Sequence, residues 1–389
     1  MRILFLTDNF PPEVNAPATR TYEHARAWVD DGAEVTVITC APNFPQGRSY
    51  PGYRNALRQV EMMDGIRVVR VWSFMARNAG FARRLLDYTS YAASALVAGL
   101  FEAADVIVAT SPQFFTTWAG CSLAALRGKP WVFELRDLWP ESAVALGMSG
   151  PAPLTRAMAR IELALYRNAA RVVALTPAFK TRLIERGVPA PKIAVIPNGV
   201  DRAAFAPRAN LALKSELGAQ GRFLIAYVGT HGLAHGLAPL IEAMADLPQG
   251  HLLLVGDGAA KSALAETAWR GALPNVTLWP QIPRARVPEI IADVDAMLVS
   301  LRRADVFRTV IPSKIFEAAA MEKPILLGAE GQSRAIVEKY AAGAAFTPED
   351  GPAFAAAARA RIRLARAPWG RRAWRSPPPM TGASSRPRC

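Results

Sequence analysis

The sequence predicts an α/β protein made of two Rossmann-like domains, each a parallel sheet covered by helices, and two observations carry that prediction. Short, nearly continuous apolar runs alternate with helix-length segments along most of the 389 residues, and the pattern weakens once, mid-chain, before restarting. Strands that are apolar on both faces belong to parallel sheets buried under helices. A chain of this length also exceeds what one hydrophobic core usually holds.

Taken in order, RILFLT (2–7) is the first strand, followed by a Pro-rich loop and a helix over Thr19–Asp31. In that helix Tyr22, Ala25 and Val29 recur at helical spacing, and Gly32 ends it. Further strands are read at 34–39, 66–72, 105–111, 130–137, 171–176 and 192–198, completing a first domain over 1–205. A charged, Ala-rich connector with Pro207 occupies 206–221. The second domain, 222–365, contains strands at 223–229, 251–258, 275–282, 295–301 and 324–330. Two such domains facing one another enclose a cleft, and ligands bind where the carboxyl ends of the strands open onto it. The tail, 366–389, is Pro- and Arg-rich without periodicity and reads as poorly ordered.

Composition removes several classes. With 51% hydrophobic and 20% charged residues the chain is globular rather than disordered. Cys40, Cys121 and Cys389 share no repeated spacing, so they form neither a disulfide framework nor a metal site and fit a reduced, cytoplasmic protein. The N-terminus reads as a strand, not a signal peptide. Asp87 interrupts the longest apolar stretch, Leu85–Phe101, so no membrane-spanning helix is expected. The net charge of +14 is concentrated at the end: residues 351–389 hold nine arginines and no acid, leaving +5 elsewhere. Without a zinc-finger, RNP or helix-turn-helix pattern, that charge does not argue for nucleic acid.

The most informative segment is VIPSKIFEAAAMEK, 310–323. Pro312 suits the first turn of a helix, and Lys314 and Glu317 lie one turn apart on one face. A helix N-terminus with a lysine can meet a phosphate, and the carboxylate can accept hydrogen bonds from vicinal ribose hydroxyls. Spacing alone equally allows a solvated Lys–Glu pair. Gly229 and Gly232 after one strand, and Gly256, Asp257 and Gly258 after the next, permit close backbone approach or simply make tight turns.

These motifs, in order, resemble glycosyltransferase family 4, retaining enzymes of the GT-B fold. FLTDNFPPEVNAPATR is similar to that family's first strand and loop, and WVFELRDLWPES to its mid-domain strand. VIPNGVD (195–201) resembles its interdomain signature, YVGTHGLAHGL and LLLVGDG its diphosphate and base-side loops, and PSKIFEAAAMEKPIL its donor-binding helix. The match covers about residues 1–350 and most resembles the branch that builds bacterial surface polysaccharides, N-acetylfucosaminyltransferases included.

The resemblance implies a nucleotide-sugar donor of the UDP class and an acceptor that is polyprenyl-linked or glycan. It implies no metal and no cofactor beyond that donor. Donor contacts fall on Gly229, Thr230, His231, Gly232, Asp257, Gln281, Ser313, Lys314 and Glu317, with Glu317 at the ribose and Lys314 at the diphosphate. The family's usual Arg and Lys in the glycine turn are here Thr230 and His235, and its second glutamate is Thr309. Stabilising the leaving diphosphate is the main electrostatic demand, so Arg308 joins Lys314 as a substitute cation. On the acceptor side stand Asn15, Arg20, Arg136 and Glu141, with Asp137 as the carboxylate that takes the acceptor's proton. A cap before LWP is the other reading of Asp137.

Asp293 and Asp295 form a D-x-D pattern but precede a strand, whose alternation would separate them. Arg77, Arg83 and Arg84 beside Phe81, Leu85, Leu86 and Tyr88 suit contact with an anionic membrane at its cytoplasmic face, or a helix packed on the sheet. Two rival functions share the architecture. A UDP-sugar 2-epimerase needs several convergent acid–base groups, and the chain has four histidines. A catalytically impaired nucleotide-sugar binder is suggested by the tail. A dinucleotide oxidoreductase is disfavoured because no G-x-G-x-x-G follows the first strand.

Overall fold

The apolar runs become strands, and their order in space fixes where a ligand can sit. The computed structural model describes residues 1–366 apart from 45, 76–80, 112–113, 140, 148–151 and 207–212. The tail from 367, Cys389 with it, and Pro207 in the connector lie outside the described residues. The chain divides into two compact units at Pro197/Asn198, within the VIPNGVD run.

The first unit is organised on an eight-stranded sheet. Its strands are β1 (Arg2–Leu6), β2 (Glu34–Cys40), β3 (Arg58–Met63), β4 (Ile66–Val71), β5 (Val106–Thr110), β6 (Trp131–Leu135), β7 (Arg171–Ala174) and β8 (Ile193–Val195). They lie in the order β3-β4-β2-β1-β5-β6-β7-β8, parallel except for the β3–β4 pair. The second unit holds β9 (Phe223–Val228), β10 (Gly250–Val255), β11 (Val276–Trp279), β12 (Ala296–Ser300), β13 (Ile325–Gly328) and β14 (Gly343–Ala345). Its order is β11-β10-β9-β12-β13-β14, parallel throughout. Every residue of β9, β10, β12 and β13 is buried, as strands covered on both faces must be. The order reverses between β1 and β5 and again between β9 and β12, and open parallel sheets bind ligands at the carboxyl ends of strands at such switch points.

Two strands escape a search for continuous apolar runs. β3 is an edge strand that alternates exposed and half-buried residues, and it pairs antiparallel with β4 across a two-residue turn. Asp64 (φ 50°) and Gly65 (φ 82°) make that turn, and the Asp-Gly pair was the available signal. β14 is only Gly-Ala-Ala. A Cβ on Gly343 would fall 1.9 Å from the Ile325 carbonyl oxygen, so its small residues reflect close strand packing. The first helix runs Ala16–Asp30, starting three residues before Thr19, because Asn15 caps it and Pro17 fits its first turn.

Among the described residues no helix is long and apolar enough to cross a membrane. On the helix Phe81–Gly99, Leu85 and Leu86 are exposed. Arg77 and the side chains of Phe81 and Arg84 lie outside the described residues.

The helix Phe114–Arg127 packs on β5 through Gly120, where a Cβ would come 2.5 Å from that of Ala109. Gly120→Ala is expected to cost about 1–3 kcal/mol in urea unfolding. Gly199→Ala, with nothing within 4 Å of the added carbon, should stay within about 0.5 kcal/mol. Equal costs would refute the close contact.

Candidate active site

In the second unit the turn after β9 is built against the turn after β10. Gly229 takes φ 136° and Gly256 φ 146°, and a Cβ on Gly256 would stand 2.0 Å from the Gly229 carbonyl oxygen. Gly258, at φ 153°, would place one 2.6 Å from the His231 oxygen. The His231 N–H donates to the Asp257 carbonyl at 2.8 Å, and Ala260 donates to that of His231 at 2.8 Å. Gly256 and Gly258 are therefore required by the fold itself. Gly232 is not: its φ is −91°, and an added Cβ meets nothing closer than 3.5 Å. Thr230 is half-buried, and its carbonyl accepts the Tyr227 hydroxyl at 2.7 Å.

Lys314 enters this turn from the helix Lys314–Ala320. Its Nζ lies 4.9 Å from the centre of the Tyr227 ring, and a Cβ on Gly229 would come 2.8 Å from it. Burial lowers its pKa and Arg284 lowers it further, while Glu317 opposes both. Glu317 is 5% exposed, and its Oε1 accepts from Arg284 Nη1 at 2.8 Å. The Arg284 guanidinium also lies over Phe205, 4.6 Å from the ring centre. Neither Lys314 nor Glu317 is a solvated surface charge, and Glu317 has a partner, Arg284, that the motif did not reveal.

The helix start differs from expectation. Ser313 is the N-cap, without a side-chain bond, and Pro312 precedes it. The N–H groups of Ile315, Phe316 and Glu317 donate to the carbonyls of Pro312 and Ser313. A seven-residue helix with a closed first turn leaves fewer free donors for an anion, so Lys314 carries more of that role.

Arg308 is half exposed, 3.8 Å from Asp305 and 3.9 Å from Glu330, so its charge is already shared with acids. Asp257 and Gln281 are half-buried at the ends of β10 and β11, with Asp257 Oδ1 accepting the Gly258 N–H at 2.7 Å. Lys261 Nζ donates to the carbonyls of Gly256 and Trp279 at 2.7 and 3.2 Å, tying those strand ends together. His231 is fully buried, neither ring nitrogen has a partner among the described residues, and burial with Lys261 nearby pulls its pKa down to about 4. Asp293 accepts the Leu213 N–H at 2.8 Å, and Asp295 accepts Lys214 Nζ at 2.6 Å. Asp295 also accepts the Leu224 N–H at 2.7 Å, so the D-x-D carboxylates are turned to separate structural contacts. Among the described residues no group of three or more His, Cys, Asp or Glu could hold a metal ion.

In the first unit Arg20 and Glu134 form a buried ion pair at 2.9 Å. Arg20 also donates to the carbonyls of Ile196 and Pro197 at 3.2 and 3.3 Å. His24 Nδ1 lies 3.5 Å from Glu134. Burial pushes Glu134 up, but Arg20, His24 and Arg136 together bring it down to about 2. Arg136 donates to the Pro17 carbonyl at 3.0 Å, and burial brings it down to about 10. Asn15 Oδ1 accepts the Ala18 N–H at 2.8 Å, the work of a cap. Asp137 is raised by burial, while hydrogen bonds from the Ser142 side chain and the Leu138 N–H oppose. Glu141 faces Arg182 at 3.2 Å and Arg186 at 3.8 Å, among partly exposed side chains. The sequence reading passed over Asp8, which follows β1 at the switch point. Burial raises it to about 6 while Asn9 and Arg136 oppose. Its signal was its position immediately after the first strand.

Residues 15–199 match the model of a glycosyl transferase 4-like domain, and residues 222–363 that of glycosyl transferases group 1. Over 347 residues the chain is 28% identical to WcaI, a glycosyl transferase ascribed to colanic acid biosynthesis in Escherichia coli K12, across 85% of this chain and 84% of that protein. Sucrose-phosphate synthase from Thermosynechococcus elongatus superposes with a TM-score of 0.73 at 19% identity, over 93% of this chain and 90% of that one. HepE from Anabaena, solved with UDP-glucose, gives a TM-score of 0.69 at 21% identity, again over 93% and 90%. At these identities the structural likeness speaks to the fold, the GT-B pairing of two parallel-sheet Rossmann-like domains.

Glu13 offers a pH test of the first unit. Its Oε1 accepts the N–H groups of Asn43 and Phe44 at 2.8 and 2.9 Å, and its Oε2 is buried without a partner among the described residues. Burial pushes it from 4.5 up to about 8, the Phe44 and Asn43 bonds opposing. The folded state therefore holds a proton that the unfolded chain releases. The stability this gives is complete below pH 4.5 and is lost as pH rises towards about 8. Glu13→Gln keeps the oxygen acceptor, so it should melt higher than the parent near pH ~8 and not near pH ~5. The same difference at both values would show that Glu13 holds no such proton.

Proposed function

The chain belongs to the glycosyltransferases, a glycosyl transferase 4-like domain followed by a group 1 domain, and from that premise we propose what it transfers. It moves a hexosyl or acetamidohexosyl group, with retention, from a nucleotide sugar of the UDP class to a lipid-linked or polysaccharide acceptor in surface-glycan synthesis. The observation that carries this reading is the placing of Lys314 against the side-chain-free turn at Gly229, with the buried Glu317 carboxylate one helical turn away. HepE, of like fold, was solved with UDP-glucose, and WcaI is ascribed to colanic acid biosynthesis, which supports the donor class and the surface-polysaccharide branch, N-acetylfucosamine-type transfer included.

In this scheme vicinal ribose hydroxyls donate to Glu317, which Arg284 orients through its 2.8 Å hydrogen bond. Lys314 meets the diphosphate, and Gly229 lets it approach the backbone. As the bond from the sugar's C1 to the diphosphate oxygen breaks, Lys314 stabilises the charge that collects on the leaving group, without a metal. The acceptor oxygen bonds to C1 on the same face and gives up its proton. We assign that proton to Asp8, which follows β1 at the switch point and which burial raises to about 6. Arg83, Leu85 and Leu86, exposed on the helix Phe81–Gly99, support peripheral contact with the cytoplasmic membrane face, where a lipid-linked acceptor would sit.

Calorimetric titration with a set of UDP- and GDP-sugars tests the donor site. Glu317→Ala and Lys314→Ala should each weaken binding of the preferred donor by roughly 10- to 100-fold, the scale of a charged hydrogen bond. Unchanged affinity in both variants would remove the assignment.

A further inference from the structure

Two nitrogen groups converge on the turn after β9, and only one of them is a permanent cation. The direction a side chain on Gly229 would take is filled by the Lys314 ammonium, 2.8 Å from the missing Cβ. The direction at Gly232 leads to His235, whose Cδ2 and Nε2 stand 3.5 and 3.8 Å from such a Cβ. His235 Nδ1 lies 3.1 Å from the Ser300 carbonyl at the end of β12. A carbonyl only accepts, so Nδ1 carries the proton and Nε2 of the neutral ring holds a lone pair. Among the described residues no hydrogen bond reaches that Nε2.

A diphosphate diester brings two negative charges to a turn where Lys314 supplies one positive charge. We propose that donor binding draws a proton from solvent onto His235 Nε2, making the imidazolium the second cation that holds the diphosphate and then the departing nucleoside diphosphate. This rests on the donor reading above. No donor bond breaks in the step: the proton adds to the ring's lone pair, and the new N–H donates to a phosphate oxygen.

The surroundings explain why the proton waits for the anion. Tyr227, from β9, lies 5.6 Å from the His235 ring, His231 shares its turn, and Lys314 reaches in from its helix. Arg302 and Glu349 pack around the next residue, Gly236. Burial and then the Lys314 charge hold unliganded His235 down to about 3, so it is neutral near pH 7. An anion between the two nitrogens reverses that repulsion. His231 cannot substitute, being fully buried.

Calorimetry on the full chain near pH ~6.5, in buffers of different ionisation enthalpy, counts the protons taken up with UDP-glucose, or with whichever UDP- or GDP-sugar binds. Because the complex holds the extra proton, affinity should rise about 5- to 10-fold from pH ~8 to pH ~6, with about half a proton or more taken up at pH ~6.5. His235→Asn, whose amide can still donate to the Ser300 carbonyl, should bind about tenfold more weakly with no uptake. His235→Lys should bind without uptake. Binding by the parent protein without proton uptake, or uptake that persists in His235→Asn, overturns the inference and leaves the donor reading standing. Failure of every UDP- and GDP-sugar to bind overturns both.

Discussion

The contact between the turns that end β9 and β10 is the constraint on which the C-terminal site depends. Gly256 and Gly258 pass so close to the backbone of Gly229 and His231 that neither tolerates a side chain. That contact aligns Tyr227, His231 and His235 around one patch of backbone, and it leaves the space above Gly229 to Lys314. Close approach, not flexibility, is what these glycines provide. The same absence of side chains that lets two strands end together lets a phosphate reach the peptide groups.

Charge in this patch is arranged to limit the cost of burial. An isolated buried carboxylate is expensive, and Glu317 is buried only because Arg284 meets it at 2.8 Å. Arg284 in turn rests on Phe205, which orients it without adding another charge. Lys314 is treated likewise, its ammonium over the face of Tyr227. Each charged group is thus positioned before a substrate arrives, so less reorganisation remains for the reaction.

Much of this could be read from the residues. The parallel sheets followed from apolar runs, whereas the spacing of Lys314 and Glu317 left a solvated pair open until their burial was seen. What could not be read depended on long-range neighbours. Arg284 lies 33 residues before Glu317, and no local period links them. Gly232 and Gly256 look alike in sequence, yet only the second is squeezed by another strand's backbone. Asp137 sits in a suggestive run, and its side-chain partner, Ser142, lies five residues on in the next helix. β3 was missed for a different reason: an edge strand with one wet face does not resemble a buried one, and only its Asp-Gly turn announced it.

The two switch points use opposite titrations to the same end. After β1 the carboxyl groups of Asp8 and Glu13 are pushed up by burial, to about 6 and about 8, which shifts both towards the protonated, uncharged form. After β9 the imidazoles of His231 and His235 are pushed down by burial and by neighbouring lysines, so they too favour the uncharged form. Buried groups that stay neutral avoid most of the desolvation cost of an ion. The permanent charges at both places are instead paired or laid on an aromatic ring, as Arg20 is with Glu134 and Lys314 on Tyr227. A charged group entering either place therefore meets titrations that burial has already shifted, Asp8 at about 6 and His235 at about 3.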